Sequence, residues 1–197
     1  MRQNRGDPYA AKLRGGDMDA SGFITGWQRF DRIEQSLCLR VNRGCHYPLV
    51  KLVFTVVSRL GDGGFWYLLM LMLAVNGAGT ALVAGQMAVT GVVGTALYKL
   101  LKRRFVRERP YIAHPGIELG SAPLDRYSFP SGHTLHAVCF TILATAHVPE
   151  LVPILLPFTM LVGASRVVLG LHYPTDVMAG GLIGALLASA SLSVWPA

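Results

Sequence analysis

The chain has 197 residues, of which 52% are apolar and only 15% charged. A soluble domain of this length is excluded, because so much apolar surface needs lipid to cover it. The formal net charge of +7 comes from Lys and Arg in the N-terminal stretch and beside apolar segments, with no aromatic and basic platform, which argues against nucleic acid and for anionic lipid headgroups.

Residues 1–22 carry Arg2, Arg5, Lys12 and Arg14 in a polar, glycine-rich setting. They lack the apolar core of a cleavable signal peptide and read as a disordered tail. A second region, 23–47, repeats apolar residues at Phe30, Ile33, Leu37 and Val41, with Asp31, Arg32, Glu34 and Gln35 on the other side. That spacing predicts an amphipathic helix, either lying in the membrane interface or extending the first spanning helix. Cys38 and Cys45 fall two helical turns apart, too far for a bridge within one helix, and with Cys139 they are expected as buried free thiols.

The third region, 48–197, contains six apolar segments, at about 48–60, 64–77, 79–101, 132–148, 151–170 and 174–194. About 20 helical residues cross a hydrocarbon core of ~30 Å, so the third, fifth and sixth are long enough alone. The others need recruited flanks or a place among their neighbours. Glycine-rich turns follow Arg59 and Asn76, and Gly79, Gly85, Gly91, Gly94, Gly180, Gly181 and Gly184 offer close helix approach. The expected architecture is all-α: a six-helix transmembrane bundle preceded by an amphipathic interfacial helix.

An up-and-down bundle brings three segments to one membrane face: KRRFVRERP (Lys102 to Pro110), PSGH (Pro130 to His133) and SRVVLGLHYPTD (Ser165 to Asp176). The same counting puts the N-terminal helix on the opposite face. Setting aside cations with a chemical reason to sit at the site, the positive-inside rule then predicts a cytoplasmic N-terminus and an outward-facing site.

Charge at a membrane edge is costly, so the cluster calls for a functional explanation. Arg109 and Arg166 offer planar forks of donors and Lys102 a point charge, which together can clamp a phosphate. Ser131 suits the N-cap of the fourth spanning helix, leaving the amides of Gly132 and His133 at a positive helix terminus. His172, with Asp176 four residues later, suits a carboxylate-oriented nucleophile, and His133 an acid that protonates the leaving oxygen and later activates water. The expected intermediate is a phosphohistidine. His46, His114 and His147 read as interfacial or packing residues, while His136, one turn after His133, could also face the cavity. Three cations beside two histidines and one carboxylate would repel a divalent ion, so no metal and no other cofactor is expected.

These segments closely resemble the three-part signature of the type 2 phosphatidic acid phosphatase (PAP2) superfamily: Lys102, six residues, then Arg109-Pro110; Pro130-Ser131-Gly132-His133; and Ser165-Arg166, five residues, His172, three residues, Asp176. The resemblance implies His172 as nucleophile, Asp176 as its orienter, His133 as acid and base, and Lys102, Arg109, Ser131, Gly132 and Arg166 as phosphate ligands. It further implies metal-independent hydrolysis of a lipid phosphate or diphosphate in a bacterial inner membrane. Polyprenyl (undecaprenyl) diphosphate is the first expectation for the substrate, and phosphatidylglycerol phosphate or phosphatidic acid the alternatives. Vanadate-dependent haloperoxidases share such a site but are larger and soluble. A lipid phosphotransferase differs only in its acceptor, and a lipid-binding or transport protein would have no use for the full residue set.

Overall fold

The computed structural model describes residues 31–123 and 125–195. The expected tail over 1–22, and the first part of the expected amphipathic helix, 23–30, lie outside the described residues. In chain order come α1 (31–42), a 3-10 turn (Arg43–His46), α2 (Pro48–Arg59), α3 (Phe65–Val75), α4 (Ala78–Arg104), the single turn α5 (Pro110–Ala113), α6 (Gly132–His147), α7 (Val152–Val168) and α8 (Pro174–Val194). The starts follow local chemistry. Prolines open α2, α5 and α8, where the missing N–H is no loss, and the Ser131 hydroxyl caps α6 by accepting the Thr134 N–H at 3.4 Å.

Helix α6 is the axis of the bundle and packs against α4, α7 and α8. Its contact with α8 is close because a Cβ on Gly180 or Gly184 would overlap the carbonyl oxygens of Ser131 and Leu135. Gly91 and Gly94 likewise admit the side chains of Phe140 and Leu135. Gly79 and Gly85, expected to serve the same purpose, face open space. Trp66, Leu69, Met87, Phe140, Leu143, Leu155 and Val162 fill the interior, whereas Leu52, Leu71, Ile154, Met160 and Leu182 stand exposed on the outside, as lipid contact requires. By length and apolarity four stretches suffice to cross a bilayer: Pro48–Val75, Ala78–Arg104, Pro149–Val168 and Pro174–Val194. The protein is an integral membrane protein.

All six predicted apolar segments form helices, but the expected reversal at 59–64 does not produce a hairpin. α2 and α3 are joined through a single bent turn, Leu60–Gly64, kinked at Gly63 (φ 129°). Both ends of α2 lie near the C-terminal end of α7: Cys45 Sγ, just before it, donates to the Val168 carbonyl at 3.1 Å, and Ser58 near its end accepts from Arg166. Over roughly 18 Å of its own length α2 therefore slants across α7 and does not run down it. One traverse is lost from the count. The N-terminal helix consequently sits at the site end, where the sequence had put it at the other. The charges of α1 therefore lie at the same end as the site, to which Glu34 joins them through Arg107 and Thr175, and the reason for an outward-facing site falls away.

The predicted face of α1 is also rotated. Ile33 and Leu37 are 58% and 44% exposed, while Glu34, Cys38 and Asn42 point inward. Asn42 explains part of this: its side chain donates to the Glu118 and Val168 carbonyls (both 2.9 Å) and accepts the Glu118 N–H at 2.8 Å. Those bonds fasten the helix to the loop before α6 and to the end of α7. Cys38, Cys45 and Cys139 are buried free thiols.

Candidate active site

A cavity of about 740 Å³ opens where α3, α4, α6 and α7 meet the loop of 105–131. Lys102, Arg109, Gly132, His133, Arg166 and His172 line its upper part, and Trp66, Tyr67, Met70, Ala88 and Val92 extend it downward along α3 and α4. Six of the eight predicted site residues thus share one wall. The other two stand behind it. Ser131 is fully buried with its hydroxyl on Thr134 Oγ1 (2.9 Å), and its N–H donates to the Asp176 carbonyl at 3.0 Å, tying the start of α6 to the start of α8.

His172 is held in one tautomer by its neighbour. Its Nε2 lies 3.1 Å from Arg109 Nη1, which also donates to the Leu171 carbonyl at 2.7 Å. A guanidinium can only donate, so Nε2 carries the lone pair and Nδ1 the proton. Burial first, and then the charges of Arg166, Arg109 and Lys102, hold this imidazole well below the usual histidine range, so it is neutral near pH 7. Nδ1 faces Asp176 Oδ2 at 3.6 Å, longer than a hydrogen bond, and has no hydrogen-bond partner among the described residues.

The Asp176 carboxylate is fixed by other donors. Oδ2 accepts the Tyr173 N–H and Oδ1 accepts from Arg107 Nη1, each at 2.8 Å. Arg107 also donates to Glu34 Oε2 at 2.6 Å and stacks 3.9 Å over the Tyr173 ring. Glu34 in turn accepts from the Thr175 N–H at 2.8 Å and from the Thr175 hydroxyl. α1 therefore reaches the site through Glu34, Arg107 and Asp176. Sequence reasoning missed this chain, having placed Glu34 on the polar side of a helix and given Arg107 no role.

The cations are arranged around a second unpredicted residue. Lys102 Nζ donates to both Asp125 carboxylate oxygens (2.8 and 2.7 Å), and Arg109 donates from Nη2 to Oδ1 at 2.6 Å and from Nε to the Asp125 carbonyl at 2.9 Å. Burial pushes the Asp125 carboxyl up, but Lys102 and Arg109 outweigh it and hold it below the usual carboxylate range. Arg166, 3% exposed, donates to Ser58, yet its Nε has no partner among the described residues, a buried donor suited to an anion. Asp125 thus occupies donors that a phosphate would need. Replacing it with asparagine should lower the orthovanadate concentration needed for half inhibition by about tenfold, the worth of one charge-assisted hydrogen bond no longer displaced. Weaker inhibition would instead make Asp125 a brace for the two cations.

The remaining histidines divide as the sequence suggested. His136 lines the cavity, with Nδ1 2.9 Å from the Gly132 carbonyl and Nε2 3.1 Å from that of Gly91. His147 packs on Gln86 (3.1 Å), His114 on the Tyr173 hydroxyl (3.2 Å), and His46 is exposed.

Comparison with known proteins identifies the family. Phosphatidylglycerophosphatase B of Bacillus subtilis (strain 168) is 33% identical over 156 residues, 71% of this chain and 72% of that one. Undecaprenyl-diphosphatase BcrC of the same organism is 33% identical over 99 residues, 50% of each chain. The crystal structure of Aquifex aeolicus LpxE matches with a TM-score of 0.67 at 28% identity, over 79% of this chain and 92% of that one. The model of the PAP2 superfamily matches residues 69–197, which include all the cavity-lining residues from α4 onward, and the chain belongs to that superfamily.

Proposed function

We propose that the protein is a membrane phosphatase that removes the terminal phosphate of a lipid phosphate or diphosphate through a phosphohistidine at His172. One observation carries this reading: three cations and two histidines share a cavity wall whose continuation along α3 and α4 is apolar. A phosphate would sit among Lys102, Arg109, Arg166 and the amides at the start of α6, displacing Asp125. The Arg109 donor now on Nε2 would pass to a phosphate oxygen, freeing the lone pair for in-line attack.

In the first step the His172 Nε2–P bond forms, the bond from phosphorus to the leaving oxygen breaks, and His133 gives that oxygen a proton. In the second, water attacks phosphorus, His133 takes its proton, and the N–P bond breaks to release phosphate. Asp176, held by Tyr173 and Arg107, would close from 3.6 Å onto Nδ1–H as the ring becomes cationic. Ser131 serves this site by positioning the helix terminus. The reading includes no metal, because Lys102, Arg109 and Arg166 already supply the positive charge.

Polyprenyl diphosphate and phosphatidylglycerol phosphate are the leading candidate substrates, with phosphatidic acid next. A relative named for each of the first two classes matches the chain at the same identity, 33%. The deciding experiment measures inorganic phosphate released from these lipids in micelles, with and without excess chelator and with and without a second lipid acceptor. Release that survives chelator and needs no acceptor is the expected result. Acceptor dependence would make the protein a transferase, and restoration of a lost rate by a divalent ion would overturn the metal-free reading.

A further inference from the structure

One acidic group at the cavity has no part in the scheme above. Asp62 lines the cavity, and its Oδ1 lies 3.3 Å from His133 Nε2, although it stands on the turn between α2 and α3, before the residues matched to the superfamily. The turn is shaped to hold it there. A Cβ on Gly61 would come within 2.8 Å of Val162 Cγ2, so that glycine presses the turn onto α7, and Gly63 takes φ 129°, a region that other residues rarely adopt. A looser loop would not hold this carboxylate, itself 41% exposed, against the nearly buried His133 ring.

We infer that Asp62 is the positioning residue and counter-charge of His133, holding its ring as the imidazolium that protonates the leaving oxygen. The inference rests on the proposed acid role of His133. An imidazolium at this place faces Arg166 from α7, Lys102 from α4, Arg109 and His172 from the loops, and His136 one turn along α6, all of which bear positive charge or acquire it on protonation. Asp125 is engaged by Lys102 and Arg109. Asp62 is the carboxylate that meets the His133 ring, so it supplies the charge that lets the ring keep two protons among cations. As the P–O bond breaks, one of these protons moves to the leaving oxygen, and the neutral ring regains one from the attacking water.

The test separates leaving groups. A p-nitrophenolate departs unaided, whereas the alkoxide of decyl phosphate needs a proton. Asp62→Asn should lower kcat/KM, which reports the steps through phosphohistidine formation and leaves out the hydrolysis common to both substrates, by about 10–100-fold for decyl phosphate and by less than about threefold for p-nitrophenyl phosphate, since assistance by a positioned acid is worth about 10²–10⁴-fold at most. Asp62→Glu should recover much of the loss, which also controls for folding. His133→Ala, run on both substrates, should show the same selectivity in larger measure. If His133→Ala shows it and Asp62→Asn loses both activities equally, or neither, the role of Asp62 is overturned alone. If His133→Ala does not separate the substrates, the acid role itself fails and that of Asp62 with it.

Discussion

Substituting His172 with alanine should abolish phosphate release, with kcat falling by about four orders of magnitude or more, as expected when one member of an interdependent catalytic group is lost. The reason lies in how little else in the cavity could attack phosphorus. His133 is engaged by Asp62, and His136 has a carbonyl oxygen close to each ring nitrogen. Among the described cavity histidines, His172 is the one whose Nε2 lone pair is defined by a donor, Arg109, and whose ring is kept neutral by burial and cations. Single-turnover reaction with a ³²P-labelled lipid phosphate, quenched in base, should trap label on the wild-type protein that acid releases, as a phosphoramidate requires. The alanine variant should trap none. Label retained by the variant, or turnover near the wild-type rate, would remove His172 as nucleophile.

The parts of this site that could be read from the sequence are those whose chemistry forces a residue type at a fixed spacing. His172 and Asp176 sit one helical turn apart at a helix start, and Ser131 opens a helix that must present its amides, so short-range geometry specifies them. Lys102 and Arg166 end apolar helices, where charge needs a reason. Asp125, Glu34, Arg107 and Asp62 follow no such rule. Each acts on a partner far along the chain: Asp125 on Lys102, 23 residues away, and Glu34 on Thr175, 141 residues away. Only the folded bundle brings them together. The N-terminal end was misread for a related reason. α2 is apolar enough to suggest a span of its own, but hydrophobicity does not encode the angle at which a helix crosses its neighbour. That angle is set by Val168, Arg166 and Val162 on α7 meeting Cys45, Ser58 and Gly61 around α2. Glu34 deceived in the opposite direction: a carboxylate on an amphipathic helix usually faces water, and this one is 4% exposed because Arg107 and Thr175 receive it.

Arg107→Ala should be among the most destabilising substitutions in the protein, at about 3–5 kcal/mol, because it leaves two buried carboxylates without their shared cation. Glu34 and Asp176 are 4% and 0% exposed, and Arg107 bridges them at 2.6 and 2.8 Å. Lysine at this position would supply charge without the fork and without the flat face that lies over Tyr173, so Arg107→Lys should recover only part of the loss. Thermal unfolding in micelles would measure both. The decisive comparison is with Glu34→Gln, which removes one of the two stranded charges. In the double variant the cost of Arg107→Ala should shrink by about 1–3 kcal/mol relative to its cost alone, the coupling expected of residues in one ionic network. Strict additivity would mean that α1 and the Asp176 carboxylate are held independently. Catalysis should follow stability here. With Arg107 gone, Oδ1 of Asp176 loses its donor and the carboxylate can turn from His172, so the arginine variant should lose kcat even at temperatures where it stays folded, whereas Glu34→Gln, which leaves Arg107 on Asp176, should keep most of it.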